Sequence, residues 1–359
     1  MGGGLRERDK AVAIPRHGAI KDEKGILIVY PYMRNSFMAM KRSTFAEMFK
    51  TTISSLTRLI FSLLVPATIS CSHERANETL REGNRSGVAS MQHVKSEQIS
   101  SPSDEQVPLT NPSGMTVEER FLTPPIFSRV QIEADGFQSY LRSLPMKKHG
   151  AKVKFYNGSE KADRGTWAAV VDLPIGERDL HQCADAIMRL KAEYLWSTKQ
   201  YNKIHFNFVN GFTADYIKWK NGQRIKVKGN DAYWVNTDSP STDYQSFWKY
   251  LEMVFSYAST ASLEREMDQI DLLEMGIGDV LIRGGSPGHA VLVVDMAVNH
   301  TTGEKLFLLA QSYMPAQEIH ILTNPNDAVI SPWYRLEASQ EIFTPEWTFH
   351  AKELKRFSD

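Results

Sequence analysis

The sequence predicts an α+β fold: an antiparallel sheet with packed helices. Apolar stripes at helical spacing come early, at 183–194 and 247–258, and a long β-hairpin pattern comes late, at 289–313. No internal repeat interrupts that order. Residues 119–359 therefore read as a single globular domain.

Taken in order, residues 152–156 alternate and then turn at Asn157-Gly158, and 167–171 read as a buried strand. Asp179 is placed to cap a helix, with Gln182 completing a capping-box pattern. Cys183, Ala186, Ile187, Leu190 and Tyr194 then follow on one helical face. Ile204, Phe206 and Phe208 alternate with His205 and Asn207, as a strand does. Phe247, Leu251, Val254, Phe255 and Ala258 form a second helical stripe. The hairpin runs out along His289–Val298, turns over 299–303 and returns along 305–313. Trp333, Tyr334, Trp347 and Phe349 belong to an aromatic tail expected to wrap the same core.

Ahead of the domain, a short apolar run from Leu59 to Ile69 follows Lys50 and Arg58, carries the small residues Ala67 and Thr68 near its end, and leads into Ser70 and Cys71. About 11 apolar residues are too few to span a bilayer, which takes about 20. Charge, apolar run and small residues are the three parts of an export signal. Ending on cysteine, the segment 48–71 resembles a bacterial lipoprotein signal, in which the thiol of Cys71 is diacylated and becomes the mature N-terminus. Residues 1–47 are then an over-extended start. Residues 72–118, polar and poor in aromatics, are expected to be a disordered tether.

The 359 residues carry 42 Lys plus Arg against 42 Asp plus Glu, so no net field draws the chain to nucleic acid. Two cysteines make no disulfide framework, and no Cys/His spacing suits zinc. No cofactor is expected. Gly284-Gly285-Ser286-Pro287-Gly288 spells the serine-hydrolase elbow, but Pro287 lacks the N–H its oxyanion hole needs. Gly276-Ile277-Gly278 lacks the third glycine of a dinucleotide loop.

The candidate site is built on Cys183. A thiol in the first turn of a helix is pushed toward thiolate by the free N–H groups and dipole there. His289 opens a strand after a glycine-rich turn. Closing the hairpin over 299–303 sets it opposite Tyr313 and diagonal to Gln311, roughly 7–8 Å apart and within side-chain reach. Gln311 would then fix the imidazole tautomer. Asp295 is expected on the same face, but about 20 Å along the strand. Each residue also has a structural reading: Cys183 as core, His289 as partner to a turn carbonyl, Gln182 as a cap.

The order Gln182-Cys183, then Gly288-His289-Ala290-Val291, then Ala310-Gln311-Ser312-Tyr313 resembles papain-like cysteine peptidases and amidases, especially the NlpC/P60 and CHAP cell-wall hydrolases. The resemblance implies a papain-like arrangement, with Cys183 as nucleophile, His289 as base and Gln311 as orienter. A broader likeness covers Phe121 to Phe349. Asp179-Leu180-His181-Gln182-Cys183-Ala184-Asp185-Ala186 and the stretch Leu309 to Glu318 resemble a family of bacterial envelope lipoproteins, domain of unknown function 4846. Together these imply a lipoprotein anchored to the bacterial membrane in the cell envelope, acting on peptidoglycan or another peptide substrate. The alternative is a non-catalytic envelope lipoprotein that binds a glycan or protein partner, for which exposed aromatics near 333–347 would serve.

Overall fold

The structure is a computed structural model describing residues 108–358 and, in a separate N-terminal unit, the antiparallel pair Ala19–Lys21 and Leu27–Val29. Cys71 and the expected signal segment 48–71 lie outside the described residues, as does the expected tether up to 107.

The folded domain is α+β, built on a nine-stranded antiparallel sheet. Its strands are β1 (Ser128–Arg129), β2 (Trp167–Val170), β3 (Met267–Gln269), β4 (Val280–Arg283), β5 (His289–Val298), β6 (Lys305–Gln311), β7 (His320–Leu322), β8 (Tyr334–Arg335) and β9 (Leu354–Phe357). The spatial order is β2-β7-β6-β5-β4-β9-β3, with β8 added to β6 and β1 to β5. Four helices matter here: α1 (Phe137–Arg142), α2 (Cys183–Ser197), α3 (Tyr244–Tyr257) and α4 (Thr260–Glu266). The central strand β5 is buried from His289 to Ala297, and a strand covered on both sides reads as a near-continuous apolar run. Helix α2 packs on β5 and β6.

Several local expectations shift. Helix α2 starts at Cys183, not after Asp179. Gln182 is its N-cap, Asp185 takes the Gln182 N–H at 3.0 Å, and Asp179 accepts instead from the Gln182 side chain (3.0 Å) and the Ala316 N–H (2.7 Å). The 204–208 strand forms, as His205–Asn207, but pairs with Thr213–Asp215 outside the main sheet. Residues 152–156 contribute only bridges, Lys154 to Glu160 and Phe155 to Gln317. The stretch 110–118 is packed rather than trailing: Thr110 bridges Phe121, a short helix spans Val117–Arg120, and Val117 is fully buried. Buried Arg120 also donates to the carbonyls of Gly114 (2.6 Å) and Lys147 (2.9 Å), which holds the polar segment on the domain.

The hairpin holds the largest surprise. Val298 pairs with Lys305 and Asp295 with Leu308, but Val293 pairs with Leu309, so a β-bulge lies between Val293 and Asp295. An extra residue moves every later side chain to the other face. Asp295 therefore leaves the His289 face, contrary to the sequence expectation. On the opposite side it is fully buried between Arg142 (2.6 Å) and Arg129 (2.7 Å). Arg129 also donates to the carbonyls of Phe121 and Glu118, fastening the N-terminal segment to the sheet.

Candidate functional site

Gly288 sets the position of His289. A Cβ there would meet the Gly285 carbonyl at 2.5 Å and the Thr260 hydroxyl at 2.6 Å, so only glycine lets the loop press against α4 as β5 begins. His289 is then paired with Arg283 across β4 and buried. Its ring lies 4.5 Å from the Tyr313 ring, 5.4 Å from Trp347 and 5.8 Å from Phe349. Arg283 holds this aromatic tail down, pairing with Glu353 at 2.6 Å while its guanidinium covers Trp347.

The bulge gives the register that continues to His289 opposite Tyr313 and diagonal to Gln311, and the two side chains meet: His289 Nε2 and Gln311 Oε1 are 2.8 Å apart. An amide oxygen only accepts, so Nε2 carries the hydrogen. Burial pushes the imidazole down to about 4, with the Gln311 bond opposing and Lys161 assisting. The ring is therefore neutral near pH 7, and a neutral ring with hydrogen on Nε2 has its lone pair on Nδ1.

Gln311 has further partners that sequence reasoning missed. Its amide nitrogen lies 3.2 Å from His320 Nε2 and 2.6 Å from Glu346 Oε2, and Glu346 is paired with Lys161 at 2.7 Å. His320 is the direct cross-strand neighbour of Gln311. It is fully buried, held down to about 3 chiefly by burial, and its Nδ1 lies 2.9 Å from the Glu318 carbonyl. Only His320 carried a readable signal, as a histidine two residues past Glu318 in a strand-like run. Glu346 and Lys161 come from distant loops with no pattern to mark them.

Cys183 occupies the first position of α2 and is partly exposed. The buried Ser312 hydroxyl bridges the carbonyls of His181 (3.0 Å) and Gln317 (2.7 Å), docking the start of α2 beside the end of β6. Tyr313 is the next residue. Its hydroxyl is pushed up by burial, then by the charges of Glu346 and Cys183, while its ring contacts His289. The structure thus joins His289 to Gln311 directly, while Cys183 reaches this group through its charge acting on the Tyr313 hydroxyl. His181, buried against Phe255 at 5.8 Å, is held well below its ordinary value by burial and stays neutral. Trp333 and Tyr334 are buried, so they form core rather than an exposed binding face. Among the described residues, no three His, Cys, Asp or Glu side chains are grouped to hold a metal ion.

One family model, domain of unknown function 4846, matches residues 117–356. The chain belongs to that family. The match spans the whole sheet, from the short helix at 117 into β9, so Cys183, His289, Gln311, His320 and Glu346 all lie within the family domain. Neither a curated protein nor a solved structure matches the chain.

Proposed function

We propose that this chain is a bacterial envelope lipoprotein, tethered through Cys71, whose domain is a cysteine hydrolase of papain-like arrangement. Its substrates are peptide or amide bonds such as those of peptidoglycan. The observation that carries this reading is the His289–Gln311 bond at 2.8 Å, which leaves Nδ1 as the one proton acceptor of a neutral imidazole. A thiol at a helix N-terminus brought to such an acceptor is the combination nucleophilic catalysis requires, and this reading has Cys183 come within reach of Nδ1.

In this reading Nδ1 takes the Cys183 proton and the thiolate attacks the substrate carbonyl carbon, forming a C–S bond. The tetrahedral adduct collapses as the C–N bond breaks, and the imidazolium gives its proton to the departing amine. Water then attacks the thioester, losing a proton to Nδ1, and the carboxylic product leaves as the thiol is restored. Gln311 keeps Nε2 protonated throughout, which holds the lone pair on the working nitrogen.

The test is alkylation of Cys183 by iodoacetamide near neutral pH, followed by peptide mass spectrometry so that Cys71 is counted separately. Rapid labelling of the folded protein, slowed by His289→Ala and less so by Gln311→Ala, is the expected result. Slow labelling that His289→Ala leaves unchanged would overturn the hydrolase and leave a lipoprotein that binds an envelope partner.

A further inference from the structure

The proposed chemistry needs one tautomer of His289, and Gln311 alone does not specify it. An amide can turn end for end. Its nitrogen would then face His289 Nε2, which could bond only as an acceptor, driving the hydrogen to Nδ1 and removing the base. Something must hold the amide the right way round.

We propose that His320 and Glu346 are positioning residues that lock the Gln311 amide and, through it, the tautomer of His289. This rests on the reading of Cys183 and His289 as nucleophile and base. The lock begins at the main chain. The Glu318 carbonyl can only accept, so His320 Nδ1, 2.9 Å away, carries the hydrogen. A neutral His320 then has a bare Nε2, which faces Gln311 at 3.2 Å and demands a donor. The Glu346 carboxylate, 2.6 Å from the same amide nitrogen, makes the same demand. An amide nitrogen has two hydrogens, and these two acceptors use both. Turning the amide would set its oxygen against a lone pair on one side and a carboxylate on the other. The oxygen is thereby committed to His289, which must hold its hydrogen on Nε2. The two buried histidines flanking Gln311 are locked in opposite tautomers, His320 on Nδ1 and His289 on Nε2. Lys161, paired with Glu346 at 2.7 Å, holds that carboxylate in place.

The size of the effect is set by what a misplaced tautomer costs. In a Ser-His-Asp site, a substitution that leaves the geometry but yields the wrong tautomer lowers kcat by about 10⁴. Either acceptor alone still orients the amide, so the informative variant removes both: His320→Leu with Glu346→Gln, in the full chain. Ring-nitrogen NMR on histidine-labelled protein should show His289 protonated on Nε2 in the wild type and mixed in the double variant. Alkylation of Cys183 should slow in proportion to the fraction of His289 that has lost its Nε2 hydrogen, about twofold for an even mixture and bounded by the roughly 10⁴ of a fully misplaced tautomer. Exchanging His320→Leu for His320→Gln in that double variant, so that an amide oxygen again accepts from Gln311, should restore both readouts. If wild-type alkylation depends on His289 but the double variant keeps both tautomer and rate, the lock is wrong and the hydrolase reading stands. If wild-type alkylation ignores His289, the hydrolase reading fails, while the opposite tautomers remain measurable by NMR in their own right. Finding the two wild-type rings in the same tautomer overturns the lock outright.

Discussion

Acidification tests the buried histidines by a route that does not depend on catalysis. His289 and His320 have folded values of about 4 and about 3, against an ordinary value of 6.5, and burial is the main cause in both. As pH falls below 6.5 the unfolded chain takes up these protons and the folded chain does not. The stability these groups contribute is therefore full above 6.5 and is lost toward their folded values. At pH 5 both folded rings are still neutral, so each loss depends only on the 1.5 units below 6.5. At 1.36 kcal/mol per unit this is about 2 kcal/mol each, or roughly 4 for the pair. His181 acts in the same direction. Glu266 acts in the other: burial raises it to about 7, so it adds stability as pH falls, reduced by its partial exposure. A difference measurement cancels that offset. Urea unfolding of the wild type and of His320→Gln, each at pH 8 and pH 5, should show the pH-dependent loss shrinking by about 2 kcal/mol in the variant, a midpoint difference of about 1 M for a typical slope. Equal losses in the two proteins would show that His320 takes up its proton as readily in the fold as in the unfolded chain, and the burial account of its depressed value would fall.

Two further outcomes follow from other parts of the chain. Asp295→Ala leaves two arginines facing a vacated, fully buried carboxylate position, and should destabilise the domain by about 3–5 kcal/mol in chemical denaturation. Mass spectrometry of the native N-terminus should find Cys71 carrying lipid; an unmodified N-terminus elsewhere in a water-soluble protein would remove the anchor from the proposal.

How much of the site was legible depended on range. Cys183 at a helix start was readable because capping chemistry is local, although the cap proved to be Gln182 and the expected capping residue, Asp179, served the Ala316 N–H instead. The aromatic tail was readable as core from composition. Its placement over His289 was not, because it depends on β9 inserting between β4 and β3 from the far end of the chain. Glu346 and Lys161 were invisible for the same reason: their value lies in meeting Gln311 from separate loops, and no periodicity encodes such a meeting.

The hairpin shows why a correct contact can rest on an incorrect register. The turn closes one residue away from the position that pattern alone implies, since Val298 pairs with Lys305. Carried straight along the strands, that pairing would set His289 opposite Met314 and turn Gln311 to the far face. The bulge between Val293 and Asp295 shifts the ladder by one and restores the His289–Gln311 meeting. The same shift sends Asp295 to the other face, where two arginines hold it. One irregularity therefore places a structural charge cluster on one side of β5 and the candidate base with its orienter on the other. Bulges bend strands and re-aim side chains beside functional sites. Here the bulge costs a ladder position in the most buried strand of the sheet, and the buried Asp295 cluster beside it supplies the contacts that hold it in place. That coupling gives the arginine pair a bearing on the site: it secures the register on which the His289–Gln311–His320 alignment depends.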